Sequence, residues 1–254
     1  MDYVSLGKSD LLVSRTGYGA MGLKDLSDDI MATHLIKKAY EDGVNFFDTS
    51  RSVDESERRL GSAVKDFRED IFIATKTLAH TSDELADDID QSLTALQTNY
   101  IDLYQLEKLN FLPEKGGEDG LVDKLLKLRE DGVIRHFGVT TESMAVAQAV
   151  LESDVPWETL QFPFNMLCQK DVEDLVLQCA EKNIGFIGMQ PLCGGLISNV
   201  PLAVGYLLQF ENAIPVWGAR TEEELHQILY FSDNPPVYDE KFFQEVRKER
   251  YRFN

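Results

Sequence analysis

Short apolar runs alternate along the chain with longer stretches in which apolar residues recur every three or four positions. The short runs are typical of buried parallel strands, and the longer stretches are typical of amphipathic helices. Strands are predicted near 16–21, 44–49, 71–76, 101–106, 136–140, 158–164, 185–190 and 213–218. Helices are predicted near 28–42, 55–66, 82–97, 118–131, 143–152, 170–182, 201–210 and 222–232.

This regular alternation of strands and helices favours an α/β fold, a closed (β/α)8 TIM barrel rather than an open sheet. The length of 254 residues agrees with that fold, which typically needs about 250 residues. Tyr3 to Ser14 predicts an N-terminal β-hairpin with its turn at 7–10, and 239–250 predicts a charged C-terminal helix. No linker rich in Gly, Ser or Pro interrupts the pattern, so we expect a single domain over 1–254.

Local signals mark several element boundaries. Ser82 precedes two acidic residues and is the expected N-cap of the third helix, and Thr141 or Glu142 is expected to open the fifth. Gly43 and Gly132 follow helical stretches and precede strands, as helix-terminating glycines do.

The composition narrows the classes of partner. The net charge of −19 would repel nucleic acids and anionic membranes, so neither is an expected partner. Three scattered cysteines, no leader-like N-terminus and no run approaching roughly 18 apolar residues predict a cytoplasmic protein. The histidines and cysteines show no metal-ligand spacing, so we expect no metal site.

Several ordered motifs resemble those of one enzyme family. The segment 45–50 resembles N-F-F-D-T-A, 100–106 resembles Y-I-D-L-Y-Q-L, and 132–139 resembles G-x-I-R-x-I-G-V. Together with matches from Tyr3 to about Asp233, they make the chain similar to the aldo-keto reductases. The resemblance implies a TIM barrel whose hairpin closes the bottom, and an oxidoreductase that uses NADP(H).

The segment 188–192 and the ending 242–253 resemble a bacterial branch of this family that carries an iron–sulfur module after the barrel. This chain contains no cysteine-rich sequence of that kind. We therefore expect neither the module nor an iron–sulfur cluster.

Two of the family's four catalytic positions are substituted. Asp48 and Lys76 match the family's aspartate and lysine, whereas Val53 stands at the position of the acid tyrosine and Glu107 at that of the histidine. The tyrosine donates a proton to the carbonyl oxygen, and valine cannot. Asp48 and Lys76 are then either a retained half of the catalytic tetrad or a buried ion pair kept for stability, and we favour the second.

Glu107 has two interpretations. Steroid double-bond reductases of the family carry a glutamate here, where its protonated form donates to a carbonyl oxygen, although they keep the tyrosine. Alternatively Glu107 pairs with Lys76, with Lys108 or with another local cation, which we favour. Tyr104 is expected inside or behind the barrel wall, which makes it a poor replacement acid.

The resemblance also assigns a cofactor site with substitutions. Gln161 matches the glutamine that holds the nicotinamide carboxamide, Thr140 and Thr141 replace Ser-Asn, and Met189 replaces a stacking aromatic. The phosphate-binding loop corresponds to 218–220, which leaves Gly218 and Arg220 as candidates. Glu224 and Ile228 replace an arginine and an asparagine. The NADP(H) site is therefore expected to be weakened.

Three hypotheses follow. The first is an aldo-keto reductase-like pseudoenzyme with little or no carbonyl reduction, which acts by binding a small-molecule ligand or a partner. The second is an active nicotinamide-dependent oxidoreductase with altered chemistry, such as double-bond reduction with Glu107. The third is a non-catalytic interaction subunit, whose protein partner the sequence does not identify.

Overall fold

A closed barrel of eight parallel strands forms the centre of the molecule. The computed structural model describes residues 1–108 and 110–253. The strands are β1 (Tyr3–Ser5), β2 (Leu12–Ser14), β3 (Gly17–Gly19), β4 (Phe46–Asp48), β5 (Phe72–Thr77), β6 (Ile101–Glu107), β7 (Ile134–Thr140), β8 (Thr159–Pro163), β9 (Gly185–Met189) and β10 (Ala213–Trp217). Strands β3 to β10 pair in chain order, and β10 closes the barrel against β3. The predicted TIM barrel is confirmed.

Helices cover the outside of this barrel. They are α1 (Asp29–Glu41), α2 (Asp54–Ala63), α3 (Ser82–Leu96), α4 (Leu121–Glu130), α5 (Met144–Glu152), α6 (Lys170–Glu181), α7 (Val200–Leu207), α8 (Glu222–Asp233) and α9 (Glu240–Phe253). The core between strands and helices includes Tyr104, which is fully buried behind the wall as expected. The predicted domain range ends on Asn254, which lies outside the described residues.

The hairpin of β1 and β2 closes the bottom of the barrel. Its strands pair antiparallel, and Leu6, Leu11 and Val13 pack into the apolar cluster inside the barrel. Gly7 makes the turn possible, because its φ of +58° is left-handed and an added Cβ would lie 2.1 Å from the backbone nitrogen of Gly185. The predicted hairpin is therefore present, and its position depends on the close approach of Gly7 to Gly185.

Most predicted boundaries lie within a few residues of the structure, but two predicted caps are wrong. Thr81, not Ser82, caps α3 by accepting from the backbone N–H of Glu84. Ser143, not Thr141 or Glu142, caps α5. Gly43 and Gly132 have φ values of +96° and +75°, as helix-terminating glycines do.

Within the described residues, no helix is long and apolar enough to cross a membrane.

Candidate active site

Polar side chains gather where the barrel strands end. Asp48 ends β4, Lys76 lies near the end of β5 and Glu107 ends β6. Glu107 is in register with Thr140 of β7, and Thr140 is in register with Gln161 of β8. Since all eight strands are parallel, these residues share the end of the barrel at which enzymes of this fold carry their sites. We call this end the mouth.

Asp48 and Lys76 form a buried ion pair. Lys76 Nζ lies 2.6 Å from Asp48 Oδ1 and also donates to the carbonyl oxygen of Thr49 at 2.6 Å. Both side chains are nearly inaccessible. Burial raises the pKa of Asp48, and the opposing effects of Lys76 and Gln161 do not cancel it. Two of the three ammonium protons of Lys76 are thus committed within the protein.

A chain of side-chain amides continues from this pair across the barrel interior. Gln161 Nε2 donates to Asp48 Oδ2 at 3.2 Å, and Gln161 Oε1 accepts from Gln105 Nε2 at 2.7 Å. The Thr140 hydroxyl also donates to Gln161 Oε1, at 3.2 Å. Thr159 donates to Gln105 Oε1 at 3.3 Å. The predicted cofactor residues Thr140 and Gln161 are therefore engaged with other protein groups, and Gln161 keeps one uncommitted N–H.

Glu107 has a hydroxyl partner instead of the expected cation. Ser50 Oγ donates to Glu107 Oε2 at 2.8 Å, and the Glu107 side chain is buried. Lys76 is occupied by Asp48, and Glu107 has no ion pair within residues 1–108 and 110–253. The expected pairing with Lys76 or Lys108 was wrong, because the segment after β4 brings a serine to the carboxylate and leaves Lys76 with Asp48.

Val53 occupies the N-cap position of α2, directly after the segment that contacts Glu107. Its backbone N–H donates to the carbonyl oxygen of Ser50 at 3.0 Å, and its carbonyl accepts from the N–H of Ser56 at 2.9 Å. Its half-buried isopropyl group has no proton to donate. Tyr104, the nearest tyrosine considered as a replacement, lies on the helix side of β6, where burial raises its pKa. Its side chain therefore lies on the opposite side of β6 from Gln105 and Glu107.

The remaining predicted contacts to a nicotinamide ring are also used internally. Thr141 Oγ1 accepts from the backbone N–H of Ser143 at 3.0 Å. Met189 is half-buried and packs against the apolar cluster inside the barrel, which agrees with a core role.

The loop after β10 is acidic where a phosphate would need cations. Gly218 and Arg220 are exposed, and the Arg220 guanidinium lies 3.9 Å from Asp25. Glu224 Oε2 accepts from the backbone N–H of Arg220 at 2.8 Å, and its own N–H donates to Thr221 Oγ1. This arrangement resembles a capping box, except that the carboxylate accepts from the residue before the N-cap Thr221. Glu224 thus places a carboxylate at the N-terminus of α8, where backbone N–H groups would otherwise attract an anion.

These residues do not fit NADP(H) well. Thr140 and Gln161 are hydrogen-bonded to each other, and Thr141 accepts from Ser143. The Glu224 carboxylate occupies the helix N-terminus that a 2′-phosphate would need. The hydrogen-bonding groups and charges of this site therefore do not support a reaction that uses this cofactor.

Sequence reasoning missed Ser50, Ser52 and Gln105. Gln105 could have been found from strand alternation, because it lies two residues before Glu107 and faces the same side of β6. The two serines gave no such signal. They follow β4 in a segment that continues to pair with β5, through the N–H of Arg51 and the carbonyl of Lys76, before α2 begins.

The comparisons with known proteins agree with this architecture. The model of the Aldo/keto reductase family matches residues 15–201. The chain belongs to the aldo/keto reductase family. Its relatives include the uncharacterized oxidoreductase YqkF of Bacillus subtilis, 28% identical over 212 residues, which cover 78% of this chain and 67% of YqkF. L-galactose dehydrogenase of Arabidopsis thaliana is 29% identical over 218 residues, covering 77% of this chain and 66% of that enzyme.

Solved structures support the same fold. The aldo-keto reductase AKR11C1 of Bacillus halodurans, in its holo form, has a TM-score of 0.85 at 22% identity, covering 98% of this chain and 96% of its own. An aldo-keto reductase of Klebsiella pneumoniae in complex with NADPH has a TM-score of 0.85 at 17% identity, with coverages of 98% and 95%. This chain spans about two thirds of the length of the curated relatives.

Proposed function

We propose that this protein is an aldo/keto reductase-family barrel that does not perform the family's usual carbonyl reduction and instead binds a small molecule at its mouth. The observation that carries the proposal is Val53 at the head of α2, in the place of the acid tyrosine. Without a proton donor near the carbonyl oxygen, the rate of reduction falls by about 10²–10⁴.

The cofactor side supports the same proposal. Thr140, Thr141 and Gln161 already bond within the protein, and the Glu224 carboxylate repels a phosphate at the start of α8. An enzyme that transfers hydride from a nicotinamide nucleotide would need these groups free to bind the nucleotide. A cytoplasmic location remains a prediction.

The test is a titration with NADPH and NADH, followed by tryptophan fluorescence. Trp217 is buried at the mouth end of β10, whereas Trp157 precedes β8 at the opposite end. The Trp157→Phe variant therefore isolates the signal of Trp217. We expect no saturation at micromolar nucleotide and no NADPH oxidation with simple aldehydes.

Two further variants bear on the proposal. Val53→Tyr combined with Glu107→His restores both substituted positions, and any gain in aldehyde turnover is measured against Val53→Phe with Glu107→His, which adds the ring without the hydroxyl. Micromolar affinity of the wild type for NADPH with rapid aldehyde reduction would contradict the proposal. Wild-type reduction of a conjugated double bond that is lost in Glu107→Gln would support altered oxidoreductase chemistry instead.

A further inference from the structure

The carboxylate of Glu107 is buried without a balancing cation. Its side chain is 7% exposed, and its only hydrogen bond within the described residues comes from Ser50. An ionised carboxylate removed from water is stable only when it is paired or well hydrogen-bonded. Among the described residues, the Glu107 side chain has one such bond and no ion pair. The single hydrogen bond compensates only part of the cost of removing a carboxylate from water.

The hydrogen bonds around Ser50 can orient its hydroxyl towards Glu107. Ser50 Oγ accepts from the backbone N–H of Ser52 at 3.2 Å and lies 2.7 Å from Ser52 Oγ. When Ser52 donates to it, the single hydroxyl proton of Ser50 points to Glu107 Oε2. The carboxyl then acts as an acceptor, and Oε1 accepts no hydrogen bond from any described residue.

The neighbouring charges do not neutralise Glu107. Lys76 is paired with Asp48, so it does not pair with Glu107. Arg51, the next cation along the chain, turns to Asp54 and Glu57 of α2. The negative charge of Glu107 is also felt by Asp48, whose pKa it helps to raise. In a molecule of net charge −19, the surrounding field adds to the attraction for a cation.

Large apolar side chains are exposed in the loops at the same end of the barrel. Met21 follows β3, Leu78 follows β5, Phe111 lies in the segment after β6, and Leu196 lies in the segment after β9. Each is more than a third exposed, and each lies in a segment that follows a different barrel strand. These side chains could contact the apolar body of a ligand whose charged end reaches Glu107.

We propose that the mouth binds an organic ammonium ion with an apolar body, and that Glu107 is its counter-ion, held in place by Ser50. This inference rests on the proposed binding function, because it places the ligand at the mouth. Ligand ammonium protons would reach Glu107 Oε1, and the apolar body would contact the loops that surround the mouth.

The experiment compares three phenylalkyl probes of different charge on the full chain by isothermal titration calorimetry at low salt. The probes are the 2-phenylethylammonium ion, neutral 2-phenylethanol and anionic 3-phenylpropanoate. We expect binding in the order cation, neutral, anion. Glu107→Gln should weaken binding of the cation about 30-fold or more, because it removes one partner of a buried charge pair, and should leave the alcohol unchanged. Glu211→Gln, at an exposed acid between α7 and β10, is the matched control.

Equal affinity for the ammonium ion and the alcohol, or no binding of the ammonium ion at millimolar concentration, would overturn this inference. Retained cation preference in Glu107→Gln would overturn it as well. Because the probe comparison is made on the wild type, it holds even if a variant folds poorly. NADPH-dependent aldehyde turnover is measured separately, so failure of the binding function and failure of the ammonium assignment give different results.

Discussion

At the scale of single residues, the site places a buried ion pair beside a valine and a glutamate. Asp48 and Lys76 remain in contact at 2.6 Å, while Val53 supplies no proton and Glu107 faces a serine. An ion pair can outlast the reaction it once served, because removing one partner leaves the other charge buried and unpaired. Retention of Asp48 and Lys76 is therefore no evidence of carbonyl reduction.

This argument predicts the effect of breaking the pair. Lys76→Met should lower the free energy of unfolding by about 3–5 kcal/mol, because it leaves Asp48 buried without its cation. Replacing both residues, as in Asp48→Leu with Lys76→Met, should recover most of that loss. Urea denaturation at neutral pH measures all three proteins.

The control is Lys127→Met in α4, where Lys127 forms an exposed pair with Asp131. An exposed pair of this kind contributes about 0–1 kcal/mol. A Lys76→Met variant no less stable than Lys127→Met would show that the buried pair does not stabilise the fold.

At the scale of elements, a histidine joins the bottom hairpin to the barrel wall. His136 of β7 contacts Asp10 in the hairpin turn at 2.7 Å and Glu158 at 2.9 Å, and Arg129 of α4 lies 3.5 Å from Glu158. Burial lowers the pKa of His136, but its hydrogen bonds to Glu158 and Asp10 outweigh this effect and raise the pKa above the ordinary value.

This contact should make the stability of the hairpin dependent on pH. Because the folded pKa is raised, the stabilisation is fully present below the unfolded value of about 6.5 and is lost as the pH rises through the folded value. The difference in unfolding free energy between wild type and His136→Gln should therefore shrink from pH 6 to pH 9. Denaturation at a series of pH values measures it.

His34→Gln is the matched control, since His34 contacts Glu222 on the exposed surface between α1 and α8. Its effect should be small throughout. A His136→Gln difference that stays constant or grows towards pH 9 would contradict the role assigned to the two carboxylates.

Prediction from sequence succeeded for elements and failed for partners. Apolar periodicity placed the strands and helices, because burial against a barrel imposes it over many residues. The partner of Glu107 could not be predicted, because it depends on how the segment after Asp48 continues along β5 before turning into α2. The predictions of the N-caps of α3 and α5 failed for a similar reason. Several neighbouring residues have side-chain oxygens that could cap the helix, and the local backbone conformation decides which one does.

At the scale of the whole molecule, the net charge of −19 opposes compactness through self-repulsion. Added salt screens such repulsion, with a Debye length of about 10 Å at 0.1 M. Raising NaCl from low to moderate concentration should therefore increase the melting temperature. Relief of about 1 kcal/mol corresponds to about 2–4 °C for a chain of this size.

The matched variant replaces two exposed acids of α3 beyond its first turn, Asp87 and Asp90, with asparagine. It should melt at a higher temperature than the wild type in low salt and respond less to NaCl. Equal salt responses in the two proteins would indicate that the effect does not arise from these charges.

The hairpin of β1 and β2 closes one end of the barrel. Leu6, Leu11 and Val13 pack against the apolar side chains inside the barrel at that end, so a ligand approaches Asp48, Lys76 and Glu107 from the mouth. Two ligands that contact these residues would then compete for the same side of the barrel, and the loops at the mouth would affect how fast each binds and dissociates.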